Sequence, residues 1–369
     1  MLQSRYLKNF DYVLLGAILL MIIYGVMMIA SATRGAIDPT LATRVDSQIL
    51  YAVVGVGVVF VVAAIDYRLL TSTYLWIYGI IVAILGVVGL LGTEGEAGAQ
   101  SWLNLGVAGF QPSELAKMLL IIVLAQQLAS NADKIGRFST ILKSLAFVAI
   151  PVFFIFIQPD LGITVLVLVT WIVMVWAAGL RWQHIAVFAV ISAVALPILW
   201  SQMEDYQRSR IAVFISPEAD EDAFYNINQA LIAIGNGGGN LLGQGYMQGT
   251  QSQNRFLRVR HTDFIFAVIA EELGFVGAIL VLVLIAIVLF RILRAARLAP
   301  DMAGTLICVG VATIIFFQTV VSIGMNVRLM PVTGLTLPFI SSGGSSLVTL
   351  MFGIGLVESV VLRHDPRNL

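Results

Sequence analysis

Long apolar runs dominate this chain and leave its backbone little choice. Near residues 12–32, 48–65, 73–92, 113–129, 141–157, 162–179, 183–201, 264–290, 303–326 and 343–362, stretches of membrane-crossing length carry little fixed charge. A helix needs about 20 mostly apolar residues to cross a bilayer core, where each backbone polar group must be satisfied from within the protein. Apolar residues make up 59% of the chain and charged residues 11%, against roughly 25% charged in a soluble domain. The expected fold is therefore an all-α polytopic membrane protein. Residues 1–369 read as a single integral membrane domain with ten transmembrane helices and a long extracytoplasmic loop, about 202–263, between helices seven and eight. The first run is too long for a signal peptide and lacks a convincing small-residue cleavage site, so it reads as retained.

Orientation follows from Lys and Arg in short loops. With the N-terminus inside, the cytoplasmic face collects Arg5, Lys8, Arg68, Lys134, Arg137, Arg181, Arg291, Arg294, Arg297, Arg363 and Arg367, while the short outer loops hold Arg34, Arg44 and Arg328. Both termini are expected in the cytoplasm. The formal net charge is zero, so no basic face speaks for nucleic-acid binding. Cys308 stands alone in an apolar run, which excludes an intrachain disulfide and reads as a small buried hydrophobe.

That orientation puts Glu114, Asp160 and Asp263 at the outer ends of three spans distant in sequence. Asp, and Glu in the first turn, cap helix N-termini, which explains each acid singly. Three carboxylates at one membrane face also describe a shared site, because fixed charge at a bilayer boundary is costly without a function. Pro112 opens a helix, placing Glu114 and Lys117 one turn apart on one face as an ion pair. Gln158-Pro159-Asp160 forms the tight hairpin before the sixth span. The stretch 255–263 brings Arg255, Arg258, Arg260, His261 and Asp263 straight into an apolar helix. At 100° and 1.5 Å per residue, Glu271 falls on the Asp263 side, facing the same cavity, and Glu272 faces another helix; pairing of both with neighbouring spans is the alternative. In the long loop, 224–234 is amphipathic. The glycines at 235, 237–239, 243, 245 and 249 read mainly as loop flexibility and secondarily as a phosphate cradle, with no Walker spacing.

The motifs FQPSELAK at 110–117, QPDLG at 158–162, DYQRSRI at 205–211, GTQSQ at 249–253, HTDFIFAVIAEELG at 261–274 and LPFISSGGSS at 337–346 together resemble the SEDS family of cell-wall polymerases from end to end. DYQR and GTQSQ resemble its elongation branch more than its division branch. The resemblance implies a bacterial cytoplasmic-membrane enzyme that polymerises lipid II into glycan strands at the outer face during cell elongation, releasing undecaprenyl pyrophosphate. It implies Asp263 as the essential acid and Glu114 with Lys117 as the cavity pair. Arg44 and Gln48 resemble the family's Arg-x-x-x-Gln. Asp263 would accept the proton of the GlcNAc 4-hydroxyl, which attacks the donor anomeric carbon with inversion. Arg44, Lys117, Arg208, Arg210 and Arg255 are candidates to stabilise the pyrophosphate, and Asp160 and His261 join the substrate-binding candidates. A divalent cation, Mg or Mn, bridging Asp263 and pyrophosphate has no dedicated ligand cluster in the chain.

Departures from the family pattern are Arg258-Val259 in place of Pro-Glu, Ser342 for Tyr, Ser322 for Asn and Arg328 for Gly. No soluble domain accompanies the spans. Peptide crosslinking is therefore expected from a class B penicillin-binding protein whose membrane helix packs on the eighth and ninth spans, with Gly274, Gly277, Gly304 and Gly310 as close-approach positions either for that helix or, equally, for packing within the bundle. A lipid flippase, or a non-catalytic scaffold of the synthesis complex, are the rival readings; the first needs polar groups through the full membrane depth.

Overall fold

The computed structural model describes residues 9–35, 39–91, 102–104, 109–180, 201–203, 205–216 and 221–364, with isolated positions between 181 and 200. The principal helices are α1 (Tyr12–Thr33), α2 (Arg44–Ala64), α3 (Tyr74–Leu91), α4 (Pro112–Ala129), α5 (Phe138–Ile157) and α6 (Leu161–Ala177). After them come α7 (Asp205–Ile215), α8 (Glu221–Gly238), the one-turn α9 (Thr250–Gln253), α10 (Ile265–Leu298), α11 (Met302–Asn326) and α12 (Gly344–Leu362). Seven helices are long and apolar enough to cross a membrane, and α3 and α6 are shorter apolar helices. The protein is an integral membrane protein. Nine of the ten expected spans have a helix in place, and the remaining one, 183–201, lies almost entirely outside the described residues. The strands described, Leu103–Asn104 and Gly109–Phe110, form one short antiparallel pair leading into α4.

Helix α4 sits centrally, packed by α3, α5, α6, α11 and α12, and its side chains from Pro112 to Leu128 are almost all buried. The most extensive contact joins α2 to α12. Small residues make it close: a Cβ on Gly344 would come 2.3 Å from the Tyr51 ring, on Gly55 2.9 Å from Met351, and on Gly355 2.7 Å from Val62. Without hydrophobic drive inside lipid, such approach is what holds membrane helices together. Cys308 is fully buried, as expected.

One end of the bundle gathers the start of α2, α4, α6, α10 and α12 with the finish of α1, α5 and α11. The other end is laced by ion pairs, Arg291 with Asp11 at 2.6 Å, Arg68 with Asp301 at 3.0 Å and Arg363 with Asp66 at 3.1 Å.

The span expected as one continuous helix at 264–290 is broken. Gly274 has φ 61°, ψ −153°, backbone that essentially only glycine adopts. The carbonyls of Glu271 and Glu272 instead accept from Gln244 N and Gly245 N, both at 2.9 Å, and Val276 N donates to Leu241 O at 3.1 Å. A loop from the long segment is thus spliced into the helix ladder. Gly237 and Gly243 serve backbone-to-backbone contact, a role that neither sequence reading gave them, while Gly235, Gly238 and Gly239 have open space around them. Gly237 lies inside α8, where a Cβ would strike the Ala270 carbonyl, and a Cβ on Gly274 would strike Gly243 N.

Candidate functional site

The start of α4 assembles the first part of the site. Pro112 occupies the first turn, Glu114 and Lys117 are buried, and their side chains meet at 2.5 Å. Asp160 caps α6, its Oδ1 accepting from Ile163 N at 3.0 Å, while its Oδ2 accepts from Gln111 Nε2 at 3.0 Å. It is therefore a helix cap that also holds Gln111. Burial pushes its carboxyl up to about 6, with the charge of Glu114 adding to the rise and Ile163 N–H, Lys117 and Arg210 opposing it. These opposing influences place Arg210 electrostatically in the same neighbourhood, and its Nη1 holds the Val332 carbonyl at 3.3 Å.

The Asp263 turn is the second part. Asn326, fully buried at the end of α11, donates from Nδ2 to Asp263 O at 2.9 Å and to Ser322 O at 2.7 Å, and its Oδ1 accepts from Ala267 N at 3.0 Å. Ser341 Oγ donates to Thr262 O at 2.7 Å, and Ser342 N donates to His261 O at 3.0 Å. His261 itself is buried. With its carbonyl and those of its two predecessors tied down, Asp263 is a partly exposed acid on a fixed turn.

The segment 341–345 joins these parts. Ser345 Oγ accepts from Gln111 N at 3.1 Å. Gln48 grips the same segment, Nε2 donating to Ser341 O and Oε1 accepting from Gly343 N, both at 3.3 Å. Arg44 lies one turn before Gln48 on α2. Since Ser342 contributes a backbone N–H to the turn, its departure from the usual Tyr leaves that bond intact.

Two further guanidiniums, like that of Arg210, hold backbone carbonyls. Arg208 donates to Trp200 O at 3.2 Å and Ser201 O at 3.0 Å, and Arg255 donates to Gly35 O. Glu271 turns its carboxylate to α9 rather than to the Asp263 turn, and Glu272 faces another helix, as its angle indicates. Glu271 accepts from Thr250 Oγ1, Gln251 N and Ser252 N at 2.7–3.1 Å, capping α9. Glu272 accepts from Met247 N, Ser252 Oγ and Gln253 Nε2, and from Ser31 Oγ on α1. Both carboxylates secure the GTQSQ segment; Glu272 also pairs with the neighbouring span α1, whereas the bonds of Glu271 go to the loop. Of the two readings of the four glycines, packing within the bundle is the one the contacts fit: a Cβ on Gly277 would meet Leu273 and Tyr24, on Gly304 Tyr67 and Val360, on Gly310 Ile121 and Met174, and Gly274 abuts Gly243. Arg258 and Arg328, two departures from the family pattern, stack over the adjacent rings of Tyr225 and Phe224 at 5.5 and 5.1 Å. Sequence reasoning missed Asn326; its place four residues beyond Ser322 and at the end of a span was the available signal.

Comparison with known proteins now bears on this arrangement. The family profile described as cell cycle protein, FtsW/RodA/SpoVE, matches residues 11–365. The chain belongs to that family. Among its FtsW/RodA/SpoVE relatives, the peptidoglycan glycosyltransferase MrdB of Escherichia coli K12 is 37% identical over 363 residues, covering 98% of this chain and 95% of that protein. The probable peptidoglycan glycosyltransferase FtsW of Geobacter sulfurreducens is 33% identical over 375 residues, 98% of each. The RodA crystal structure from Thermus thermophilus superposes with TM-score 0.70 at 30% identity, over 95% of this chain and 96% of that one. A chain of a peptidoglycan synthase complex, described as coordinating polymerisation and crosslinking, gives 0.82 at 30% identity over 97% and 99%.

Proposed function

We propose that this protein is a peptidoglycan glycosyltransferase that polymerises lipid II, with Asp263 as general base. The observation that carries the reading is the fixed Asp263 turn, sharing its 341–345 support with the Glu114–Lys117–Asp160 cluster. A sugar hydroxyl attacks only as its proton leaves, and a carboxylate on an immobile turn accepts that proton without reorganisation. The GlcNAc 4-oxygen bonds to the donor anomeric carbon with inversion, the bond to pyrophosphate breaks, and undecaprenyl pyrophosphate departs. Lys117, Arg210 and Arg44 are the cations we assign to the developing phosphate charge. Arg208 and Arg255 shape the loop through the carbonyls they hold, and Gln48 and His261 position the turn. A Mg or Mn ion would be held by Asp263 and the substrate pyrophosphate and would neutralise phosphate charge there; among the described residues no three His, Cys, Asp or Glu side chains group to hold a metal.

The catalytic face is the outer face of the bacterial cytoplasmic membrane, with both termini inside. The buried acids elsewhere are engaged structurally, Glu271 and Glu272 by the GTQSQ segment and Glu358 by Asp11 N, which favours a polymerase over a flippase pathway. A class B penicillin-binding protein supplies crosslinking, its membrane helix seated on the apolar outer faces of α10 and α11, where Ile279, Val283, Phe316 and Val320 are exposed. The test incubates purified protein with labelled lipid II, alone and with the cognate partner. Glycan chains are expected, more with the partner, and none from Asp263→Asn, whose amide cannot take the proton. Wild-type polymer from a folded Asp263→Asn variant would reject the base assignment.

A further inference from the structure

The interface of α4 with α11 buries polar groups that no described residue satisfies. These helices are antiparallel neighbours: a Cβ on Gly310 would meet Ile121, and Lys117 and Ile314 line one small cavity together with Thr170. Extending that pairing by one turn, four residues along each helix, sets Gln318 opposite Ser113. Ser113, Gln318 and Ser322 are all completely buried. Among the described residues, neither end of the Gln318 amide has a hydrogen-bond partner, nor does the hydroxyl of Ser322 or Ser113.

Buried polar atoms are nearly always satisfied, by protein or by ordered water. A buried water needs two to four polar partners, and one amide with two hydroxyls at neighbouring positions supplies them. The seam has a functional address at each end. On α11, Gln318, Ser322 and Asn326 follow at four-residue steps, and Asn326 holds the Asp263 carbonyl. On α4, Ser113 lies one turn before Lys117, whose ammonium has three donors and spends one on Glu114.

We propose that Ser113, Gln318 and Ser322 enclose ordered water between α4 and α11, and that this hydrated seam ties Lys117 to the Asn326 clamp on the Asp263 turn, making Gln318 a positioning residue for glycosyl transfer. The inference rests on the reading of Asp263 as base. Gln318 touches no reacting atom; it acts by fixing the cation and the base relative to each other.

The experiment compares purified full-length wild type, Gln318→Met, Ser322→Ala and Asp263→Asn in steady-state polymerisation of lipid II, with melting temperatures and a high-resolution structure of the wild type. Gln318→Met keeps the volume and removes the polar ends. It should lower kcat about tenfold while KM changes by less than about twofold, with an equal or higher melting temperature. Ser322→Ala should move kcat in the same direction by less, and water density should fill the seam. Wild-type kcat in Gln318→Met beside an inactive Asp263→Asn overturns the seam and leaves the base reading standing. An active Asp263→Asn rejects the base reading alone, because the seam is scored on Gln318→Met and on the water. Should Gln318→Met fail to fold, Ser322→Ala and the density decide, and a dry seam in a structure resolving other buried waters overturns the proposal.

Discussion

Asn326→Ala is the sharpest probe of how the fold holds the proposed base. The substitution deletes three hydrogen bonds, but their losses are unequal. Ala267 N also donates to Phe264 O at 3.1 Å, so it keeps an acceptor. Ser322 O belongs to α11 and sits at the position where the helix ladder supplies a donor. The Asp263 carbonyl alone loses its named partner, at 2.9 Å. Losing a hydrogen-bond partner costs about 1–3 kcal/mol where the freed acceptor stays away from water, and each ~1.4 kcal/mol carried into the barrier is tenfold in rate. If the turn relaxes to recover that energy, the Asp263 carboxylate moves, and kcat should fall roughly 10- to 100-fold. Lipid II polymerisation by the purified variant measures the loss, with a melting curve to show that the bundle is intact. A folded Asn326→Ala enzyme with wild-type kcat would refute the argument that this bond positions the base.

Three further outcomes follow from other contacts. Glu114→Ala and Lys117→Ala should each cost about 3–5 kcal/mol, because either leaves a buried lone charge; a double-mutant cycle showing no coupling counts against the pair. Asp160, raised from 3.8 to about 6, binds its proton more tightly folded than unfolded, so its stabilising contribution is complete below 3.8 and fades as pH rises through about 6. Asp160→Asn should flatten the fall in melting temperature across that window, and an unchanged slope would refute the assignment. Arg328, at φ 58°, sets a left-handed cost of about 1–2 kcal/mol against a cation–π gain of about 0.5–1 kcal/mol on Phe224. Arg328→Gly should be as stable as wild type or more so, and Arg328→Ala less stable than both, by thermal melting.

The local chemistry of the chain determined a good part of this protein. Apolar runs marked nine described helices, eight of them within four residues of each end, because a bilayer forces the backbone to satisfy itself within each run. Pro112 and Asp160 marked helix starts because caps act within one turn. The one-turn Glu114–Lys117 pair was legible for the same reason. Contacts between distant segments were not. Glu271 looked like a cavity acid by helical angle, yet it anchors a loop about 20 residues earlier in the chain; Glu272, placed by the same angle toward another helix, does bind Ser31 on α1 but also holds that loop. The Gly-rich stretch read as flexibility until the Gly243–Gly274 contact gave it a backbone neighbour. Gln48 and Asn326 became clamps only when folding brought segments 341–343 and 261–263 between them. Sequence alone determined where the membrane helices run and which charges stand at their ends, since burial and capping depend on nearby residues. Tertiary structure decided which buried polar group satisfies which, because a hydrogen bond between residues hundreds of positions apart exists only once packing has set its distance and direction.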